Sequence, residues 1–203
     1  MEYNPLVFSK ETRDSLGLYV RLLKTWQKKF NLIGNSTLDH IWERHIIDSA
    51  QLFKLLPKEV KESPVYDIGS GGGLPGVVLS LMGRKDIVLC ESNKKKCLFL
   101  EEAKEKLGIN VIIDNIRAEK LPINSGNAVL ARAVAPLRKL IQIAFPLLSN
   151  KGLAIFPKGK NWKTELNFAQ KYFYLEYDLV KSITSNDSYI IIIRKAEKKI
   201  EKK

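Results

Sequence analysis

The stretch YDIGSGGGLPG, residues 66–76, holds the residue types with the clearest chemistry in this chain. Glycine has no Cβ, so a run of glycines lets the backbone turn sharply and come close to a ligand. The run lies between two short apolar segments, as a loop between a strand and a helix does. Its expected chemistry is therefore the binding of a nucleotide-type cofactor.

Two alignments of these glycines predict two different cofactors. Read from residue 71, the loop gives G-x-G-x-x-G with Glu91 about twenty residues on, which is the dinucleotide fingerprint. Read from residue 67, it gives D-x-G-x-G-x-G, the loop typical of S-adenosylmethionine enzymes, formed here by Asp67, Gly69, Gly71 and Gly73.

The charge of Asp67 separates the two alignments. A dinucleotide places its pyrophosphate on the N-terminus of the following helix, and an acid two residues before the first glycine would repel it. S-adenosylmethionine carries an ammonium and a sulfonium instead, and Asp67 would favour both charges, directly or through water. The sequence therefore predicts S-adenosylmethionine as the cofactor.

Further cofactor contacts are expected at the carboxyl ends of the predicted strands, where open α/β sheets bind ligands. Glu91, at the end of the second strand, is predicted to hold the ribose hydroxyls, with Ser92 beside it. Ala118 and Glu119, after the third strand, are predicted to meet the adenine. An ordinary surface loop is the alternative for that last pair.

The surrounding pattern places this loop in an α/β protein. Residues 1–63 carry helical periodicity and no strand signal, with helices expected over 16–30 and 37–56. From residue 64, short apolar strands alternate with helices, which predicts a parallel sheet with right-handed crossovers. Strands are expected at 65–68, 86–90, 110–113, 127–131, 152–156, 174–183 and 189–194, and helices at 75–82, 94–107, 137–148 and 162–171.

The last two predicted strands are joined by a turn that is too short for a crossover, so they must pair antiparallel. The predicted fold class is therefore α/β, the Rossmann-like sheet of class I S-adenosylmethionine-dependent methyltransferases with a terminal antiparallel hairpin, preceded by an N-terminal helical segment. The expected division is a helical segment packed on the core at 1–63, a methyltransferase domain at 64–196 and a basic tail at 197–203.

Charge and composition indicate the class of partner. The formal net charge of +12 attracts polyanions such as nucleic acid, although a lysine-rich compositional bias is an alternative explanation. A signal-peptide pattern and a bilayer-spanning apolar run are both missing, so a cytoplasmic location without a membrane partner is expected. Cys90 and Cys97 are expected to be free thiols, and no metal site is expected, because His40 and His45 lie far upstream.

Five segments occur in an order that is typical of one family: WQKKFNLIG, RHIIDS, DIGSGGGLPGVVLS, RAE and ARAVAPL. Through them the chain resembles the bacterial glucose-inhibited division protein B (GidB) family, also called RsmG, over nearly its whole length. The resemblance implies methylation of guanine N7 in the 530 loop of 16S ribosomal RNA, with S-adenosylmethionine as donor. It also implies cofactor contacts at Gly69, Leu74, Ala118, Glu119 and Arg132. One departure is Ala131, where many members have serine.

The absence of two motifs limits the kinds of methylation that this sequence can be expected to catalyse. The segment after the fourth predicted strand holds no Asn-Pro-Pro-Tyr loop for an exocyclic amine, and neither cysteine lies on the acceptor side, where a nucleophile is needed. Guanine N7 already carries a free lone pair, so a protein mainly has to desolvate and align it. No catalytic residue is therefore predicted.

The acceptor side is predicted to depend on Arg132, directly after the fourth strand. Its guanidinium is expected to hold guanine O6 or a phosphate beside the sulfonium, with Asp48 or Glu119 as its counter-ion. An ion pair that only fixes the loop is the alternative. His45 and Asp48, three residues apart on one helix face, are expected to cover the pocket, as the resemblance suggests, or to form a structural pair.

The RNA itself is expected to contact basic residues near the pocket. Lys158 and Lys160, close to Trp162, suit an RNA backbone and a base face, with a solvated loop as the alternative. Lys28 and Lys29 on the first helix are further candidates, with a solvated face as the alternative. The expected partner is 16S ribosomal RNA or the small ribosomal subunit, and the chain is expected to be a monomer.

Three other functions stay open from the sequence. They are a methyltransferase of another RNA or a small molecule, an NAD-linked oxidoreductase and an RNA-binding module without catalysis. The second glycine alignment supports the oxidoreductase. The high positive charge argues against a small-molecule substrate, and the intact Asp67 and glycines argue against a loss of catalysis.

Overall fold

The computed structural model describes residues 8–60 and 62–200, in which the predicted strands assemble into one sheet. The strands are β1 (Val65–Ile68), β2 (Ile87–Cys90), β3 (Ile112–Asp114), β4 (Gly126–Leu130), β5 (Leu148–Lys158), β6 (Phe173–Lys181) and β7 (Tyr189–Lys198). Their order across the sheet is β3-β2-β1-β4-β5-β7-β6. Strands β1 to β5 are parallel, and β7 lies antiparallel between β5 and β6.

This topology confirms the predicted fold class, including the terminal antiparallel hairpin. The winding reverses between β1 and β4, so the loops that follow these two strands open a crevice between them, where such sheets bind ligands. Every residue of β1 and β4 is buried, as expected of parallel strands covered by helices on both faces.

Helices cover both faces of the sheet. On one face lie α1 (Lys10–Gln27), α3 (Gly76–Leu81) and α4 (Lys94–Leu107), and on the other lie α5 (Leu137–Ala144) and α6 (Trp162–Gln170). The apolar side chains of α1 share a core with β1 and β2, so the N-terminal helix forms part of a layer of the sheet. Within the described ranges, no helix has the length and the apolar character needed to cross a membrane.

The second predicted helical segment, 37–56, is helical but irregular. The chain forms a 3-10 helix (Asn35–His40), a π-helical turn (Trp42–Ile47), the short α2 (Asp48–Ala50) and a second 3-10 helix (Gln51–Leu55). One cause is Thr37, whose hydroxyl donates to the carbonyl of Gly34 at 2.6 Å and so competes with the α-helical backbone pattern. The π-helical turn carries His45 to the position it takes in the candidate site.

The basic tail predicted at 197–203 is wrong at its start. Glu197 and Lys198 belong to β7, where they pair with Tyr174 and Phe173 of β6. The backbone of β6 supplies these hydrogen bonds, and charged side chains are well tolerated on strands at the edge of a sheet. Residues 1–7 and 201–203, the outer ends of the predicted helical segment and tail, lie outside the described residues.

Gly76 is predicted to be the position where a small substitution costs most stability. A Cβ there would lie 2.3 Å from Cδ2 of Leu89 and 2.8 Å from Oδ2 of Asp67. We expect Gly76→Ala to lower the free energy of unfolding by about 1–3 kcal/mol, as overpacking does.

Gly17→Ala in α1 is the matched control for this substitution. Its Cβ would meet only Nη1 of Arg21, at 3.6 Å. Alanine is a better helix former, so the control should gain up to about 1 kcal/mol. Urea denaturation of both variants measures the difference, and equal stabilities would contradict the packing argument.

Candidate functional site

The glycine loop after β1 takes a shape that only glycine adopts easily. Gly69, Gly71 and Gly73 have φ angles of +67°, +58° and +83°. The amides of Gly69 and Ser70 donate to the carbonyl of Cys90, which docks the loop on the end of β2. The loop therefore exposes backbone, not side chains, toward the crevice.

Asp67 holds this loop from beneath. Its carboxylate is fully buried, and Oδ2 accepts a hydrogen bond from the amide of Gly76 at 2.8 Å. Asp67 does not line the cavity next to the loop, and its expected contact with the cofactor, directly or through water, stays a prediction. Its other oxygen, Oδ1, has no donor among the described residues.

Burial sets the protonation of Asp67. It raises the pKa of the carboxyl to about 7, and the Gly76 amide and the charge of Arg132 offset part of that rise. A positive charge brought near Oδ1 would favour the ionised form. The protonation state of Asp67 therefore depends on the charge of a ligand bound near Oδ1.

Glu91 also holds the loop through its backbone. Oε2 accepts from the amide of Gly71 at 2.9 Å, and Oε1 accepts from the amide of Asn93 at 2.8 Å. The side chain is buried beside the cavity wall. Its predicted role at the ribose stays a prediction, and the observed role is to fix the loop and the start of α4.

Gly73 faces the protein core and lines neither cavity, so its contact with the cofactor stays a prediction. A Cβ on Gly73 would lie 2.5 Å from Val77, 3.0 Å from Leu100 and 3.3 Å from the hydroxyl of Tyr19. That hydroxyl donates to the carbonyl of Gly72, so α1 supports the loop from below. Sequence analysis missed Tyr19, whose position signalled only an apolar helix face.

Two cavities open at the carboxyl ends of the strands. The main one, of about 740 Å³, brings together four parts of the chain that lie far apart in sequence. Its walls include the glycine loop, the second helical segment, the end of β4 and the β6–β7 turn, through Gly69, Gly71, Leu74, Thr37, His45, Asp48, Arg132 and Thr184.

The smaller cavity, of about 220 Å³, is lined by Ser92, Ala118 and Glu119, three of the predicted cofactor contacts. Gly69 and Val134 line both cavities. A Cβ on Gly69 would lie 2.8 Å from Cγ2 of Val134, so a bare glycine is needed where the two cavities meet. The geometry suits one elongated ligand with an end in each cavity.

Arg132 is held at the main cavity by the second helical segment. Its guanidinium meets Nδ1 of His45 at 2.7 Å, Oδ2 of Asp48 at 3.2 Å and the carbonyl of Arg44 at 3.0 Å. Asp48 is thus the counter-ion, one of the two predicted, and Glu119 lines the other cavity. His45 and Asp48 share one face of the segment, as the sequence predicted.

The tautomer of His45 follows from its partners. Arginine only donates, so Nδ1 of His45 accepts from Arg132 and the ring proton resides on Nε2. Nε2 then donates to Oγ1 of Thr37 at 2.7 Å, and that hydroxyl donates onward to Gly34. Burial, with the charges of Arg132 and Arg44, lowers the pKa of His45 to about 4, which keeps the ring neutral.

Asp48 extends the same network into the terminal hairpin. Its Oδ1 accepts from the hydroxyl of Thr184 at 2.8 Å and from Nε2 of Gln51 at 2.9 Å. Both carboxylate oxygens are therefore occupied. Sequence analysis missed Thr37 and Thr184, because neither has a distinctive motif around it.

Lys158 lines the main cavity but is tied to its own loop, and its predicted role in RNA binding stays a prediction. Its side chain is only 10% exposed, and Nζ donates to Oε2 of Glu165 at 2.8 Å and to the carbonyl of Ala135 at 2.9 Å. It therefore anchors the loop that carries Arg132. Lys160 is exposed but lines neither cavity, and Trp162 packs on Tyr189 with ring centroids 4.4 Å apart.

The two cysteines are free and buried, and Cys90 lines the smaller cavity. Cys90 donates to the carbonyl of Ile116, and Cys97 donates to that of Glu91. Burial raises the pKa of both thiols, that of Cys90 to about 12, which disfavours the thiolate. Residues 8–60 and 62–200 contain no group of three His, Cys, Asp or Glu side chains placed to hold a metal.

A family model described as GidB, rRNA small subunit methyltransferase G, matches residues 12–191 of this chain. A protein of Ruegeria sp. (strain TM1040) named "Ribosomal RNA small subunit methyltransferase G" is 36% identical over 195 residues, 94% of each chain. A protein of the same name from Zymomonas mobilis subsp. mobilis is 40% identical over 190 residues, 91% of this chain and 86% of its own.

A solved structure supports the same fold at much lower identity. It is that of a putative S-adenosyl-L-methionine-dependent methyltransferase from Methanococcus maripaludis, with a TM-score of 0.58 and 11% identity. The match covers 96% of this chain and 98% of the other. It extends the agreement beyond the sheet to the helices that precede it.

Asp67 is predicted to make stability fall with rising pH. Its pKa is 3.8 in the unfolded reference and about 7 in the folded protein. Between these values the folded protein keeps a proton that the unfolded chain has lost. The stability contributed by Asp67 is therefore full below about pH 4 and is lost as pH rises through about 7.

Asp67→Asn should flatten this dependence, because the amide does not titrate. Urea denaturation from pH 4 to pH 8 measures the free energy of unfolding of both proteins, with exposed Glu105→Gln as the control for a lost charge. The difference between wild type and Asp67→Asn should shrink or reverse as pH rises. Parallel curves for the two proteins would contradict the raised pKa.

Proposed function

Because this chain belongs to the GidB family of small-subunit ribosomal RNA methyltransferases, we propose that it methylates N7 of a guanine in the 530 loop of 16S ribosomal RNA. It is an S-adenosylmethionine-dependent enzyme that acts on ribosomal RNA. The N7 atom is supported by the chemistry of the main cavity. The 530 loop is inferred from the five segments through which the sequence resembles the family.

The loop residues fit the cofactor. Gly69 and Gly71 line the main cavity and have positive φ angles, which other residues avoid. Oδ1 of Asp67, in the same motif, accepts no hydrogen bond from the described residues. We infer that the methionine end lies in the main cavity and the adenine end beside Ala118 and Glu119. When bound, S-adenosylmethionine supplies an electrophilic methyl group on a sulfonium.

One observation carries the choice of N7: the imidazole and the two carboxylates that line the main cavity each already accept a hydrogen bond. Nδ1 of His45 accepts from Arg132, the carboxylate of Asp48 accepts from Arg132 and Thr184, and Glu165 accepts from Lys158. Methylation of an exocyclic amine requires a proton to leave, whereas N7 attacks with a lone pair that is already free. The cavity therefore suits N7.

In the proposed reaction the N7–C bond forms as the bond from carbon to sulfur breaks, and no proton is transferred. The chain's part is to orient the base and exclude water. Arg132 is placed to donate to guanine O6, next to N7, since its guanidinium presents donors in a fixed plane. Asp48 balances its charge, so that the guanidinium and the cofactor can lie in one cavity.

The same function implies where and in what form the chain acts. We propose that it works in the cytoplasm, where bacterial ribosomal RNA resides. We also propose that a monomer suffices, because both cavities are built from one chain. Neither point is needed for the chemistry above.

The target atom is tested by transfer of tritiated methyl groups. We expect label in 16S ribosomal RNA or small-subunit particles, recovered as 7-methylguanine from a fragment that contains the 530 loop. Transcripts made with 7-deazaguanosine are the matched control, because they keep O6 and the exocyclic amine and lack N7. Label in those transcripts would exclude N7, and label on free nucleosides alone would exclude ribosomal RNA as the substrate.

Arg132 is predicted to act through its planar donors. Arg132→Lys keeps the charge but loses the planar set of N–H donors of the guanidinium. We therefore expect kcat/KM for RNA to fall about tenfold to a hundredfold. At saturating cofactor and RNA, the wild-type rate should stay level from pH 7.5 to 9, because no base titrates. A rate that rises tenfold per pH unit would reveal a general base.

The support of Arg132 by His45 is tested by a pair of variants. His45→Asn retains an acceptor close to the position of Nδ1, whereas His45→Leu retains none. We expect the asparagine variant to keep more of the wild-type kcat/KM than the leucine variant. Equal losses in two folded variants would show that only the shape of His45 matters.

A further inference from the structure

A surface of lysines and aromatic rings lies where the end of α1 meets the start of α4. Trp26 ties the two helices together, because its Nε1 donates to Glu102 at 2.9 Å and its ring packs on Phe99. The ring of Phe30 lies 5.7 Å from that of Trp26. We call this surface the lysine shelf; it consists of Trp26, Phe30, Lys28, Lys29, Lys94, Lys95 and Lys96.

The rings of the lysine shelf hold two of its amines in place. Nζ of Lys29 lies 5.6 Å from the ring centroid of Trp26, and Nζ of Lys95 lies 5.3 Å from that of Phe30. Such cation–π contacts order a side chain without cancelling its charge. In the described part of the chain, none of the five shelf lysines forms an ion pair.

The three lysines at the start of α4 do not stabilise their own helix. Lys94, Lys95 and Lys96 occupy its first turn, which contains no acid, although the helix dipole favours negative charge there. The cap is already made, since Oδ1 of Asn93 accepts from the amide of Lys95 at 2.9 Å. Three cations at this end therefore disfavour the isolated helix and favour an external anion.

The lysine shelf continues into the main cavity. Asn31, directly after the shelf residue Phe30, lines that cavity together with Lys96. Nζ of Lys96 lies 4.0 Å from the position of a Cβ on Gly71. A polyanion with one residue in the cavity would thus run directly over the lysines outside it.

The basic residues predicted from the sequence on the other side of the cavity are less suitable. Lys158 is buried against Glu165, and Lys160 has no cation–π contact among the described residues and lines neither cavity. The lysine shelf combines unpaired amines, ordering by aromatic rings and continuity with the cavity wall, and neither Lys158 nor Lys160 has all three.

We propose that the lysine shelf binds the phosphate backbone of the RNA strand whose target nucleotide enters the main cavity. This rests on the proposed function for the identity of the polyanion. Phosphate contacts fix the position and orientation of a strand without reading its sequence, and each contact adds to the salt dependence of binding.

The test compares two triple variants with the same loss of charge. The shelf triple is Lys29→Gln, Lys94→Gln and Lys95→Gln, which leaves Lys96 in the cavity wall untouched. The control triple is Lys85→Gln, Lys151→Gln and Lys171→Gln, three exposed lysines at the amino ends of β2, β5 and β6, across the sheet from the cavity.

Binding of 16S ribosomal RNA is measured from 50 to 300 mM salt, together with methyl transfer and the thermal shift given by S-adenosylhomocysteine. We expect the shelf triple to bind RNA at least about tenfold more weakly and to lower the salt slope by about 2, at about 0.7 per phosphate contact. The control should stay close to wild type, and the thermal shift should be unchanged in both.

The possible results separate the lysine shelf from the proposed function. Equal weakening by both triples would overturn the shelf and leave the function standing. RNA binding that depends on the shelf without methyl transfer by wild type would support the shelf and overturn the function. A wild type that does not bind RNA would overturn both.

Phe30→Leu tests the ordering of the amines separately. It retains apolar volume and removes the ring beneath Lys95. We expect a loss of RNA affinity smaller than that of the shelf triple, at an unchanged melting temperature. An affinity equal to wild type would show that the aromatic ring takes no part.

Discussion

The ion pair between Arg132 and Asp48 is the interaction on which the candidate site depends. A guanidinium beside a positively charged cofactor has to be neutralised and held, since a partly buried charge without partners is costly. Its partners come from elsewhere in the chain: His45 and Asp48 from the second helical segment, and Thr184 from the β6–β7 turn through Asp48. One cation thus joins the N-terminal helices, the end of β4 and the terminal hairpin.

The glycine loop is also held in place by side chains from other parts of the chain. Asp67, Glu91 and Tyr19 each bond to its backbone from the side away from the main cavity. The shape of the loop is therefore set before a ligand arrives, which reduces the reorganisation that binding requires. In the cavity wall Arg132 is paired with Asp48 and Lys158 with Glu165, whereas Lys96 and the exposed lysines beside it form no ion pair among the described residues.

Much of the fold was predictable because hydrophobic periodicity is local. The parallel strands, the terminal hairpin, the crossovers and the position of the glycine loop follow from apolar runs and the turns between them. The irregular form of the segment 37–56 and the extension of β7 to Lys198 were not predicted, because distant groups decide them. The hydrogen bonds of Thr37 and His45 favour an irregular helix, and β6 offers β7 a partner as far as Lys198.

The sequence by itself determined the kind of cofactor loop, through Asp67 and the glycines, and the family, through five short segments in order. It also limited Arg132 to two possible counter-ions. Only the tertiary structure decided between them, turned Asp67 and Glu91 toward backbone amides, and paired Lys158 with Glu165. The physical reason is that a motif specifies residue types and spacing, whereas the direction of a side chain depends on partners from distant parts of the chain.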